Sequence, residues 1–124
     1  MMNIVLWVVQ ILLALAFAMA GIMKATQPFE KLSERMKWAK DVGLPGVRLI
    51  GVLEILGAIG LILPAITGIL PWLTPVAAIG LVLTMIGAMI THGRRGEFPN
   101  MGFNLVLLLL AVFIVYGRFV AAPL

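Results

Sequence analysis

A single carboxyl group deep in an otherwise apolar run is the first place in this sequence where chemistry can reside. Glu54 lies inside the run Val47–Leu63. It sits about 7 to 9 residues into the helix that this run predicts, or roughly 10 to 14 Å along its axis. Insertion scales put the cost of a charge at the bilayer centre at about 2.5–3.5 kcal/mol for Asp, Lys or Arg. A carboxyl there is therefore expected to face other helices, to find a partner or to stay protonated. Gly51, Gly57 and Ala58 stand three before, three after and four after it, and small residues on one stripe permit close helix approach. Two readings of Glu54 stay open: a proton- or ligand-binding carboxyl, and a hydrogen-bonded group that fixes helix register.

Four more polar residues accompany it. Lys24 ends the first apolar run, Arg48 begins the second, His92 ends the third and Asn104 begins the fourth. Alternating helices bring all four to one end of the molecule, and Glu54 points into the same half. Each has a plainer role open to it. Lys24 and Arg48 can snorkel to lipid phosphates, His92 can cap its helix where a cation suits the dipole, and Asn104 can cap the fourth helix. Their coincidence with Glu54 favours a shared polar pocket made of Glu54, His92, Lys24, Arg48 and Asn104.

Composition says what positions them. Of 124 residues, 63% are apolar and 11% charged, against about 45–50% and about 25% in soluble domains. A core of this size cannot hide that much apolar surface from water, so lipid is the solvent that fits. A span needs roughly 20 mostly apolar residues, and four runs qualify, at about 3–23, 45–63, 72–92 and 101–119. The fold class is all-α, a transmembrane four-helix bundle, with residues 1–124 forming one domain. The first run lacks a basic leader, so it is expected to span rather than to be cleaved as a signal peptide. Pro28 and Pro45 suit helix starts. Pro64, Pro71 and Pro75 bracket the second connection and Pro99 precedes the fourth helix. With no proline in mid-span, no strong kink is expected.

Two further patterns bear on packing. Phe29, Leu32, Met36 and Ala39 share one helical face, which predicts a short amphipathic interfacial helix between spans one and two, with Trp38 near the headgroups. Gly80, Thr84, Gly87 and Thr91 form a seam on the third span beside Ala88 and His92, the pattern of a helix–helix packing face. Gln10, Trp72 and Tyr116 are candidate interfacial anchors at the other end.

Several function classes are excluded or left without support. There is no cysteine, hence no disulfide, thiol relay or persulfide chemistry. With one histidine, no multi-histidine metal site can form within one chain, and no metal is expected. No phosphate loop, serine triad or zinc pattern occurs. The net charge of +4 sits in short loops rather than in a stripe with aromatics, so nucleic acid is not a partner.

The segment Ala20-Gly21-Ile22-Met23-Lys24, the pattern Arg48-x-x-Gly51-x-x-Glu54-x-x-Gly57, His92 and Asn104 together resemble the DoxX-like family of small bacterial membrane proteins. The resemblance covers nearly the whole chain. It implies a four-helix membrane fold and a loose link to quinones, through a membrane subunit of a thiosulfate:quinone oxidoreductase and through oxidative-stress responses. A quinone is thus the cofactor class it suggests. Membrane lipids, a lipophilic small molecule, further copies of the chain or redox-complex subunits are the expected partners. The chain carries no flavin or haem motif of its own, and an enzymatic role is left undecided. The alternatives are a small-solute or proton-coupled transporter or channel, in which Glu54 would couple to a proton, and a structural accessory protein. Four unbroken spans without mid-helix proline speak against alternating access in a monomer.

Charge also orients the chain. Lys24, Lys31, Arg35, Lys37, Lys40, Arg48, Arg94 and Arg95 fall at the end of the first and third connections, and only Arg118 at the other. Positive loops stay in the cytoplasm, so a multi-pass protein of the inner (plasma) membrane with both termini outside is expected. Reporters fused to the two termini should both read as external; a cytoplasmic reading at either terminus defeats this topology.

Overall fold

The computed structural model describes residues 1–124. Six helices follow in order: α1 (Met2–Thr26), α2 (Phe29–Arg35), α3 (Ala39–Val42), α4 (Leu44–Thr67), α5 (Leu73–Arg94) and α6 (Phe98–Tyr116), the last continued by a π-helical turn, Gly117–Ala121. There are no strands. Helices α1, α4, α5 and α6 with its extension are each long and apolar enough to cross a membrane. They alternate in direction around a ring in which α1 packs on α4, α4 on α5 and α5 on α6, while α6 meets α1 over a shorter stretch. One end of the ring, the basic end, carries α2, α3 and the α5–α6 turn. The other, the terminal end, carries the α4–α5 turn and both termini.

Each span outruns the apolar run that predicts it, because helical hydrogen bonding stops at backbone signals and not at the last apolar residue. Gln27 turns extended, with ψ 150°, ahead of Pro28, whose ring disfavours helix in the residue before it. Gly68 ends α4 in the left-handed region at φ 71°, a conformation open to glycine at little cost. Pro75 and Pro99 lie inside the first turns of α5 and α6 rather than before them.

Pro64 lies inside α4 and not beyond its end. It has no N–H to give the Gly60 carbonyl, its partner one turn back. The Thr74 hydroxyl at the start of α5 supplies the missing donor, at 3.0 Å from the Gly60 oxygen. Beside it the Leu61 carbonyl accepts from Gln10 Nε2 of α1 at 2.7 Å. The proline is tolerated because neighbouring helices serve the carbonyls around it.

The core follows the inward stripe of each span: Leu13, Ala14 and Phe17 of α1, Ala58 and Leu61 of α4, Ala78, Leu81 and Met85 of α5, and Ala111 and Ile114 of α6. Large side chains such as Ile4, Leu15, Leu53, Leu83 and Leu109 point outward, as a bilayer allows. The inward stripe of α5 displaces the expected glycine–threonine seam. Gly80 and Gly87 are exposed. Thr84 and Thr91 donate to the carbonyls of Gly80 and Gly87 of their own helix, at 2.9 and 3.0 Å, so their hydroxyls need no neighbouring helix.

The amphipathic segment lies where expected but in two pieces. Leu32 and Ala39 are fully buried and Phe29 and Met36 pack beside them. The helix breaks at Met36, which adopts φ −121°, ψ 90°, and resumes at Ala39. The break turns Trp38 into the molecule, where it packs with Leu32 and Val47 instead of standing free near the headgroups.

Helices α1 and α4 approach most closely at two glycines. A Cβ added to Gly51 would lie 2.7 Å from the Gly21 carbonyl oxygen and 2.9 Å from the Ala25 nitrogen, while one added to Gly80 meets nothing within 4 Å. Gly51→Ala should therefore push the two helices apart and lower stability by about 1–3 kcal/mol, whereas Gly80→Ala should be neutral. Thermal unfolding in detergent checks both. A loss at Gly80 as large as that at Gly51 would mean that the α5 stripe packs against another chain.

Candidate functional site

The glycine crossing positions the first polar cluster. A Cβ on Gly51 would lie 2.9 Å from the Lys24 Cβ, and one on Gly21 would lie 2.8 Å from the Ile55 side chain, next to Glu54, so each glycine makes room for the partner helix where it carries its charged residue. Lys24 Nζ stands 2.5 Å from Glu54 Oε1, with the two side chains 13% and 2% exposed. The Trp38 ring centroid lies 5.9 Å from the same ammonium, close enough for a cation–π contact. Arg48 joins through the backbone: its Nη1 donates to the Lys24 carbonyl at 2.9 Å. The helical partner of that carbonyl would be the N–H of residue 28, which is a proline and has none. Arg48 thus fills the vacancy left at the end of α1 and fixes the helix turn that carries Lys24.

His92 belongs to a second cluster. Two residues past the end of α5, Gly96 turns left-handed at φ 73°, and Glu97 N donates back to the His92 carbonyl at 2.8 Å, which is the Schellman pattern. That turn folds the Glu97 side chain onto the ring, with His92 Nδ1 2.9 Å from Glu97 Oε1. Arg95 Nε lies 3.6 Å from the same oxygen, and its Nη1 reaches Asp41 Oδ2 of α3 at 2.5 Å. The network therefore ties the surface segment to the α5–α6 turn. No hydrogen bond joins His92 to Glu54. Asn104 is buried on α6 with its Nδ2 unpartnered, and so is Gln27 Oε1 after α1. Of the five residues expected to share a pocket, the structure joins Lys24, Glu54 and Arg48. It gives His92 to Glu97 and leaves Asn104 without a bonded partner.

Two cavities flank these clusters. A polar cleft of about 720 Å³ lies between α2, α3 and Arg95, lined by Glu30, Glu34, Lys37, Lys40 and Asp41 among others. A wholly apolar groove of about 490 Å³ runs between α1 and α4, lined by Ala14, Ala18, Ala58, Ile59 and Ile62 with Ile11, Leu15 and Leu63. Ala58 is one helical turn from Glu54, so the near end of the groove lies one turn along α4 from the ion pair, and the groove leads toward the terminal end.

The terminal end holds a polar cluster that the reading of the sequence treats only as orientation and anchoring. Gln10 is fully buried and is no interfacial anchor. Its Nε2 serves the Leu61 carbonyl and its Oε1 accepts from Arg118 Nε at 2.7 Å. Arg118 Nη1 also donates to Asn3 Oδ1 at 2.8 Å and to the Ala122 carbonyl at 3.0 Å. The signal that could have found this cluster is a cation inside a span with no carboxylate on its side of the chain. Trp72 and Tyr116 do stay exposed.

Four apolar spans around a core that shelters a few paired polar groups define an integral, multi-pass membrane protein. The model of the DoxX-like family matches residues 8–114, and the chain belongs to that family. No significant match occurs among curated proteins or solved structures.

Breaking a buried pair leaves one charge uncompensated, at about 3–5 kcal/mol. Lys24→Met should therefore destabilise the protein strongly by thermal unfolding, and Glu54→Leu added to it should restore most of the loss. If the double variant is as unstable as Lys24→Met, the cost does not come from an uncompensated Glu54 carboxylate.

Proposed function

We propose that this membrane protein binds a small lipophilic molecule, with a quinone as the class that fits best, at the junction of the Lys24–Glu54 pair and the α1–α4 groove. The observation that carries the reading is the adjacency of the two: an ion pair with Glu54 2% exposed and, one turn away, a groove lined only by apolar side chains. A quinone has both halves of that chemistry. Its carbonyl oxygens accept hydrogen bonds, which the Lys24 ammonium can donate. Its isoprenoid tail needs an apolar trough, which Ala14, Ala18 and Ala58 leave between bulkier Ile and Leu neighbours. Glu54 is the group able to exchange a proton with the bound ring, and Arg48, by holding the Lys24 carbonyl, keeps the donor in place. His92 and Asn104 belong to the same basic end as accessory groups. Electrons would come from a partner, so the chain acts as a subunit of a membrane redox system. The basic residues gathered at one end support a plasma-membrane topology with that end in the cytoplasm and both termini outside.

Equilibrium binding of a short-chain quinone to the detergent-solubilised protein tests this. Glu54→Gln keeps the shape and removes the titratable proton. The variant should fold yet bind the quinone roughly tenfold more weakly or worse, because the charged hydrogen bond that holds the Lys24 donor in place is weakened. Unchanged binding by a folded Glu54→Gln protein would take Glu54 out of the site. A variant that unfolds in mild detergent would assign the carboxyl to helix register instead.

A further inference from the structure

Arg118 is a buried cation that no side-chain carboxylate of the chain reaches. The five side-chain carboxylates are Glu30, Glu34, Asp41, Glu54 and Glu97. Four belong to the helices and turn of the basic end, and Glu54 lies in the adjoining half of α4. Arg118 sits in the π-helical turn at the opposite end and is 3% exposed. Its bonded acceptors, Gln10 Oε1, Asn3 Oδ1 and the Ala122 carbonyl, are all neutral. A guanidinium has five N–H donors in a planar fork. Three are used here, and those left over belong to Nη2, which is buried without a partner.

A clip between α6 and α1 would not by itself call for an arginine. A neutral amide could bridge Gln10 and Asn3 without the cost of burying an unpaired charge. Retaining the guanidinium makes sense where an anion completes it. The site lies at the end of a membrane span, with Trp7 5.8 Å from the guanidinium carbon and exposed Phe119 and Val120 beside it. An arginine at the end of a span is within reach of lipid phosphates. The planar fork matches two oxygens of a phosphate group better than it matches a spherical ion. Nη1 is held by acceptors at the molecular surface: Asn3 is exposed, and Ala122 follows the last turn of the chain's final helix. One phosphate oxygen can displace either acceptor from Nη1, and a second oxygen can then meet the adjoining Nη2, while Gln10 keeps the guanidinium in place through Nε.

We propose that Arg118, oriented by Gln10 and flanked by Asn3 and Trp7, is a phosphate-binding site at the terminal end of the bundle, independent of the Lys24–Glu54 pair. The phosphate comes from a lipid headgroup or from solution, and the two sources are separable. Protein purified in a neutral detergent is assayed by thermal unfolding and by native mass spectrometry. The additions are phosphatidylglycerol, phosphatidylcholine, inorganic phosphate, and chloride at matched ionic strength. A headgroup site predicts that the wild-type protein retains phosphatidylglycerol and unfolds at a higher temperature with it. A free-phosphate site predicts stabilisation by inorganic phosphate without lipid retention. In either case Arg118→Gln should lose roughly tenfold or more of the affinity, and Arg118→Lys, which keeps the charge without the fork, should fall between. The proposal is overturned if neither phosphate source stabilises the wild-type protein beyond chloride, a comparison that needs no variant to fold. It is equally overturned if a folded Arg118→Gln protein retains lipid or responds to phosphate like the wild type.

Discussion

A polar group inside lipid has no water to turn to, and most polar contacts in this bundle answer that constraint. Two prolines show it most plainly. Pro28 and Pro64 each remove the backbone N–H that the carbonyl four residues earlier would use. In both cases a side chain from the next span fills the place, Arg48 at Lys24 and Thr74 at Gly60. Each repair fastens two helices together at a defined height. The threonines of α5 satisfy the same constraint locally, by bonding their own helix, and so leave that face free to meet lipid.

The glycine crossing of α1 and α4 acts in the same sense on charge. Backbone contact at Gly21 and Gly51 sets the distance between helices, and each glycine lies against the stretch of the partner helix that carries the charged side chain. A carboxyl that would be costly alone becomes tolerable because Lys24 is delivered to it, and the ammonium is in turn covered by Trp38. Away from the crossing, alanines at the seam leave an apolar trough between the same helices. A polar junction at one end of an apolar groove is thus a consequence of helix geometry, and it is the feature from which the proposed ligand chemistry follows.

The two ends of the molecule manage charge differently. At the basic end, carboxylates pair with cations: Glu54 with Lys24, Glu97 with His92, Asp41 with Arg95. The first joins α1 to α4, the second folds the α5–α6 turn onto α5, and the third ties α3 to that turn. At the terminal end one guanidinium is surrounded by neutral acceptors only. The asymmetry is one of pairing: the buried carboxylate of the basic end meets a cation, whereas the buried cation of the terminal end meets neutral oxygens.

Composition and spacing alone determine that this chain is four apolar helices, roughly where each begins and ends, and that a surface segment with one apolar face joins the first two. These are local properties, set by hydropathy over about 20 residues and by a repeat of 3.6 residues. The small residues around Glu54 likewise foretell its inward direction. What periodicity cannot supply is the rotation of each helix against its neighbours. The glycine–threonine stripe of α5 reads as a packing face, yet Ala78, Leu81 and Met85 take that role because together they bury more apolar surface. Nor can end-of-helix positions say which polar groups meet. His92 and Glu54 share an end of the bundle but stand on different helix pairs, and a short Schellman turn gives His92 a nearer carboxylate. Gln10 and Arg118 are 108 residues apart, and only closure of the ring between α6 and α1 brings them together. Partner choice among buried polar groups is decided by three-dimensional distance within a few ångströms, and that distance exists only once the helices have packed.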